Sequence, residues 1–179
     1  MYTERESEYR DRILSKLEKL REYLKGQSLD PDGSPAEWYH HLNHIKGILG
    51  NANNDVSFVG ALLAKSYLSR RFGEIEIDVA EKAQGAPGLD IDLIVGGKRI
   101  VGEIKTTTPY NGPDFGAQQR AMFEKDFAKL AAAEADHKFM FVTETATFDI
   151  LCRPSFRAKL AGVTVVQLVS GAESECERA

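Results

Sequence analysis

Two short runs, GLDIDLIV at residues 88–95 and GEIK at residues 102–105, carry side chains suited to phosphate chemistry. In a strand, Asp90 and Asp92 project to one face and Leu89, Ile91 and Leu93 to the other. On the next apolar run, Glu103 and Lys105 share a face with Val101. Gly96 and Gly97 lie between the runs and mark a hairpin turn. A two-residue turn sets Asp90 opposite Glu103, with Asp92 diagonal to it. A four-residue turn sets Asp92 opposite Glu103 and Asp90 opposite Lys105. Either register gathers at least two carboxylates and one lysine into a patch about 5–8 Å across.

Carboxylates brought together on neighbouring strands repel unless something compensates them. A hard divalent cation such as Mg²⁺ does so, binding through one or two carboxylates, water and phosphate oxygens. A lysine beside it holds a phosphate oxygen or positions the attacking water. A lone Glu-x-Lys is ordinarily a solvated strand face. Gly-x-Asp-x-Asp, an apolar strand, a glycine turn and Glu-x-Lys in succession are more specific. They point to metal-assisted hydrolysis of a phosphodiester.

The elements that must hold this patch follow from the hydrophobic period. Residues 5–25 read as a helix with a narrow stripe of Ile13, Leu17, Leu20 and Leu24, to be packed on the body of the domain or on a second copy. Ser34, Pro35 and Glu37 form a capping box that opens a helix running to about Leu49. Asn53, Asn54 and Asp55 open another, continuing to Phe72, with Val56, Val59, Leu63 and Tyr67 as its buried face. From Glu74 the period drops to two, so 74–79 is expected to be a strand, followed by a turn at 84–88 and the two catalytic-type strands. A loop with Gly112 and Pro113 precedes a helix over 115–135. A strand over 138–143, a helix within 148–160, a strand over 163–168 and a frayed polar tail complete the chain. Helices, a three-strand meander and crossover helices imply an α/β fold with a mixed central sheet flanked by helices. The expected organisation is an N-terminal helical region at 1–52, a core at 53–170 and a tail at 171–179.

Whole-chain properties bound the function. The 179 residues suffice for one domain with a real core. No apolar run reaches the length of a membrane span, and the charged N-terminus has no secretory signal, so a cytoplasmic protein is expected. Cys152 and Cys176 are far apart and match no metal spacing, which favours free thiols. A net charge of −4 argues against a surface that simply coats nucleic acid. Local basic runs at 65–71 (KSYLSRR) and 98–105 (KRIVGEIK) leave nucleic-acid binding open. His40, His41 and His44 have helical spacing but no acidic or cysteine partner, and read as surface or packing residues. Trp38 and Tyr39 read as core.

At Asp92, Glu103, Ile104 and Lys105 the sequence resembles the PD-(D/E)xK nuclease superfamily, and residues 55–168 resemble its order of elements. The resemblance implies a restriction-endonuclease-like fold. It also implies that Asp92, Glu103 and the backbone carbonyl of Ile104 bind Mg²⁺, with Mn²⁺ as a substitute, and that Lys105 orients or activates water. Ile91, not proline, precedes Asp92, so Asp90 remains a rival for the first carboxylate. Glu76, with Glu74 and Asp55 behind it, is a candidate further ligand. Gln118, Gln119 and Arg120 on the following helix, and the Thr106 hydroxyl, are candidate phosphate contacts. The activity so implied is a Mg²⁺-dependent endonuclease acting on DNA in a restriction or defence role, working as a homodimer because two strands need two sites. The alternatives are a repair or recombination nuclease specific for junctions or ends, and a non-catalytic binding or regulatory subunit of the same fold.

Overall fold

The computed structural model describes residues 1–27, 30–81, 87–110 and 114–176. Three helices come first: α1 (Glu4–Lys25), α2 (Pro35–Leu49) and α3 (Ala52–Phe72). The Ser34–Glu37 capping box forms as its sequence requires. Then follow β1 (Ile91–Val95), β2 (Lys98–Lys105), α4 (Ala117–Ala132), β3 (His137–Val142), α5 (Thr145–Leu151), α6 (Pro154–Arg157), a 3-10 turn at Ala158–Leu160, β4 (Thr164–Gln167) and β5 (Ala172–Glu175). The strands form one mixed sheet in the order β1-β2-β3-β4-β5. The β1–β2 and β4–β5 pairs are antiparallel hairpins, and α4 and α5–α6 are the crossovers between parallel β2, β3 and β4. The expected α/β class with a mixed sheet flanked by helices is therefore observed.

Each face of the sheet has its own core, because alternate residues of one strand point opposite ways. Val101, Met140, Val142 and Val165 pack against Phe123, Phe127 and Leu130 of α4, together with Ile150, Leu151 and Phe156. Ile100, Phe139, Phe141 and Val166 pack against Ala64, Tyr67 and Leu68 of α3. A Cβ on Gly60 would stand 3.1 Å from the Thr106 methyl, so the missing side chain lets α3 approach the end of β2 closely.

Four expectations are corrected. On α3, Val56 and Val59 are 51% and 44% exposed, and Phe58, Ala64 and Leu68 join Tyr67 on the buried face instead. Residues 74–78 form no strand. Ile75 is buried and Ile77 packs beside it, so the alternation reports burial truthfully. Just past this segment, side chains rather than a ladder meet the backbone N–H groups. Glu6 Oε1 accepts from Val79 N–H at 3.0 Å, and Asp78 Oδ1 accepts from Ala80 N–H at 2.9 Å. The expected meander is thus only a hairpin. The tail is ordered through Cys176: β5 pairs with β4, and Arg71 holds Glu173 at 2.5 Å. Tyr39 is 64% exposed and Trp38 only half-buried. Residues 84–86 of the expected turn, and Gly112 and Pro113, lie outside the described residues.

The N-terminal helices join the body. The Glu6 carboxylate is fully buried and accepts from Lys65 Nζ at 2.8 and 2.9 Å, Tyr9 stacks on Phe58 at 4.1 Å, and Lys16 pairs with Asp55 at 2.8 Å. Tyr23 lies 2.6 Å from His41 Nδ1 and stacks on His44 at 4.2 Å, so these histidines pack α2 on α1. Among the described residues, no helix is long and apolar enough to cross a membrane.

Candidate functional site

The hairpin decides which carboxylates meet. Val95 pairs with Lys98, so the turn has two residues, and both glycines have positive φ (Gly96 58°, Gly97 78°). Glycine adopts such angles without steric cost, which makes Gly-Gly one of the few pairs suited to this tight turn. The ladder runs to Ile91 opposite Gly102. One step further, Asp90 faces Glu103, whereas Asp92 faces Val101. Asp92 is instead held by the Arg99 fork, Oδ1 to Nε at 2.9 Å and Oδ2 to Nη2 at 2.8 Å. The structure thus brings Asp90, rather than Asp92, to Glu103.

Two residues of α4 complete the cluster. Lys129 Nζ donates to Glu103 Oε1 and to Asp126 Oδ1, both at 3.0 Å. Asp126 Oδ2 stands 2.5 Å from Lys105 Nζ but without hydrogen-bond geometry, so this buried oxygen has a charge neighbour and no donor. Three carboxylates and two ammonium groups therefore converge where β2 ends. Burial, then the charge of Asp90, with Asp126 adding to it, pushes the Glu103 carboxyl up to about 7 against the opposing hydrogen bond from Lys129. Burial works against the Lys129 ammonium, yet its bonds to Glu103 and Asp126 outweigh that and raise its pKa.

The cluster lies on an open cleft of about 970 Å³. One wall is the start of α3 with Asn54, Ser57 and Phe58; another is the segment 77–81; the third is α4 with Met122, Asp126 and Lys129. Thr106 lines it too, its hydroxyl 3.5 Å from that of Ser57. The Ile104 N–H donates to Asp90 Oδ2 at 2.8 Å. A strand residue directs its carbonyl to the same side as its N–H, so the Ile104 carbonyl faces the same edge.

The other expected contacts lie elsewhere. Glu76 is exposed and lines a separate hollow with Met1, Tyr2 and Lys65. Glu74 is exposed on the same segment, and Asp55 is bound to Lys16. Gln119 is buried: its amide donates to Thr108 O at 2.8 Å and accepts from Tyr110 N–H and Gly116 N–H at 3.3 Å, so it ties down the loop after β2. Gln118 is exposed, and Arg120 pairs with Asp114 at 2.8 Å; neither lines the cleft. Of the basic runs, Lys65, Arg71, Arg99 and Lys105 are all engaged with carboxylates. Asp126 and Lys129 escaped the sequence reading. A signal existed: Asp126 sits with Phe123 and Leu130 on the apolar stripe of its helix, where an acid requires a partner.

Among the described residues, no group of three or more His, Cys, Asp or Glu side chains is arranged to hold a metal ion. Magnesium requires less, one or two carboxylates with water and substrate oxygens filling the octahedron. Asp90 and Glu103 supply that set, and the negative charge crowded at Glu103 is what a cation would relieve. The donor chemistry fits a hard divalent ion. No protein-family model, curated protein or solved structure matches the chain.

Proposed function

We propose that the cleft hydrolyses phosphodiester bonds of DNA with Mg²⁺ or Mn²⁺, as an endonuclease of the PD-(D/E)xK type. The observation that carries this reading is the convergence of Asp90, Glu103, Asp126, Lys105 and Lys129 at one end of an open cleft. In this reading Asp90 and Glu103, with the Ile104 carbonyl, hold the ion, and Asp92 stands two residues further along β1, clamped by Arg99. When bound, the ion supplies charge neutralisation at the phosphate and lowers the pKa of water. Lys105, released from Asp126, donates to a phosphate oxygen or orients the attacking water. Lys129, released from Glu103, is the second cation for the phosphate. Thr106 and Ser57 hydroxyls flank the path of the backbone. A restriction or defence role remains the preferred setting, and a junction- or end-specific repair nuclease differs from it only in substrate.

The test is cleavage of plasmid and oligonucleotide DNA with Mg²⁺ or Mn²⁺ by wild type, Lys105→Ala and Asp90→Asn. Loss of cutting in both variants supports the assignment. A wild type that cuts nothing, or variants that cut equally well, overturns it.

One observation favours a second reading, a binding protein of the same fold without catalysis. Lys105 stands against Asp126 and Lys129 against Glu103, so two of the three acids already have a cation beside them without metal. Calorimetric titration with Mn²⁺ separates the two: heat that disappears in Glu103→Gln supports the nuclease, and no binding supports the alternative.

A further inference from the structure

The wall of the cleft formed by α3 carries an aromatic stack. Phe58 is buried, and Tyr9 of α1 lies on it with ring centroids 4.1 Å apart and planes 17° from parallel. Both rings line the cleft. The Arg12 guanidinium carbon stands 4.5 Å from the centroid of the same Tyr9 ring. Two groups this close to one ring cannot share a face, so Phe58, Tyr9 and Arg12 form three layers. Tyr9 and Arg12 are three apart on α1 and therefore neighbours on one side of it. The other arginines of α1 face acids: Arg5 faces Glu81 at 3.8 Å, Arg10 faces Asp11 at 3.4 Å and Arg21 faces Glu18 at 2.9 Å. Arg12 is exposed and pairs with no carboxylate among the described residues. The stack thus begins in the cleft wall and ends at the rim on a flat cation.

The stack is continuous with the charged cluster. Ser57 precedes Phe58, its hydroxyl is 3.5 Å from that of Thr106, and Thr106 follows Lys105. A strand that sets a phosphate at Lys105 meets two hydroxyls and then the stack.

Charge decides which form of DNA this cleft suits. Its described lining carries Asp78, Glu81, Asp90, Asp92, Glu103 and Asp126 against Lys105 and Lys129. A duplex is gripped chiefly through a row of phosphates, which this lining does not attract, and its base faces are closed by their own stacking. A single strand offers those faces, and stacking on aromatic rings or a guanidinium plane needs no row of cations. Ile77, Val79, Leu89 and Met122 add apolar lining that suits a base better than a phosphate. The volume of about 970 Å³ matches a short segment of one strand.

We propose that the cleft takes single-stranded DNA, one unpaired base packing on the Phe58–Tyr9–Arg12 stack with the adjoining backbone leading to Lys105. The proposal rests on the nuclease reading of the same cleft and narrows it to a single strand. One strand needs one active site, so one chain suffices. It also gives α1 a part in the site, through Tyr9 and Arg12.

Fluorescence anisotropy of the full chain tests it, with labelled oligothymidine alone and paired to oligoadenosine, Ca²⁺ replacing Mg²⁺. The single strand should bind at least about tenfold more tightly than the duplex. Arg12→Ala and Tyr9→Leu should each weaken single-strand binding by about 5- to 150-fold, the range for losing one stacked base. Leucine keeps an apolar contact with Phe58, and circular dichroism checks folding. If Tyr9→Leu does not fold, Arg12→Ala, at an exposed position, decides alone. Arg12→Lys keeps the charge without the plane and should recover little of the loss. No binding of the single strand by wild type overturns the proposal. So does equal affinity for the duplex, a folded Arg12→Ala that binds as wild type does, or full recovery by lysine. Cutting is read separately with Mg²⁺. The expected binding pattern without any cutting upholds the base subsite and fails the nuclease reading. Duplex cutting that Arg12→Ala leaves unchanged, with no preference for the single strand, does the reverse.

Discussion

Glu103 should make the protein less stable as the pH rises through neutrality, and Glu103→Gln should abolish that loss. The native carboxyl is held at about 7 by burial and by Asp90, whereas an unfolded glutamate ionises near 4.5. Its native pKa is raised, so the native state keeps a proton that the unfolded state gives up between these values. The stabilising difference is fully present below pH 4.5 and is lost as pH passes 7. A shift of this size corresponds to about 3 kcal/mol at 1.36 kcal/mol per unit, and solvent reaching the cleft reduces it to about 2 kcal/mol. Glutamine resembles the protonated acid in shape and hydrogen bonding. The variant should therefore match wild type near pH 4.5 and exceed it by about 2 kcal/mol at pH 8.5, a rise of about 4–8 °C in melting temperature for a chain of this size. Urea denaturation of both proteins across that range is the assay, and titrations common to both cancel in the difference. A difference that does not grow between pH 4.5 and 8.5 would refute the reasoning about this cluster.

Three further outcomes follow from the same contacts. Lys65→Met leaves the buried Glu6 carboxylate without its cation and should cost about 3–5 kcal/mol in chemical denaturation. Asp126→Asn removes one of the charges that crowd Glu103, so the Glu103 carboxyl should titrate lower, as read by carbon-13 NMR. Gly102→Ala drives a methyl to 2.9 Å from the Phe141 ring and should cost about 1–3 kcal/mol by overpacking, seen as a lower denaturation midpoint with an unchanged slope.

The sequence by itself determined the start of α2, the two-faced strands and the hairpin that presents Glu103 and Lys105 on one side. These rest on local rules: the period of apolar residues, a capping box and a Gly-Gly turn. It also held both candidate registers, and the turn geometry chose the one that sets Asp90, not Asp92, against Glu103. Alternation over 74–79 foretold the burial of Ile75 but not the absence of a strand, because a period of two records which side chains are covered and not which backbone groups are paired. The polar tail became an edge strand because β4 offered it a ladder and Arg71 a partner for Glu173. Only the tertiary structure decided the composition of the charged cluster. Asp126 and Lys129 lie more than twenty residues beyond Glu103 in the sequence, and no local spacing relates them to the hairpin. The crossover helix brings them there by packing Phe123, Phe127 and Leu130 on the sheet, and the low-dielectric surroundings then make each charge depend on its neighbours.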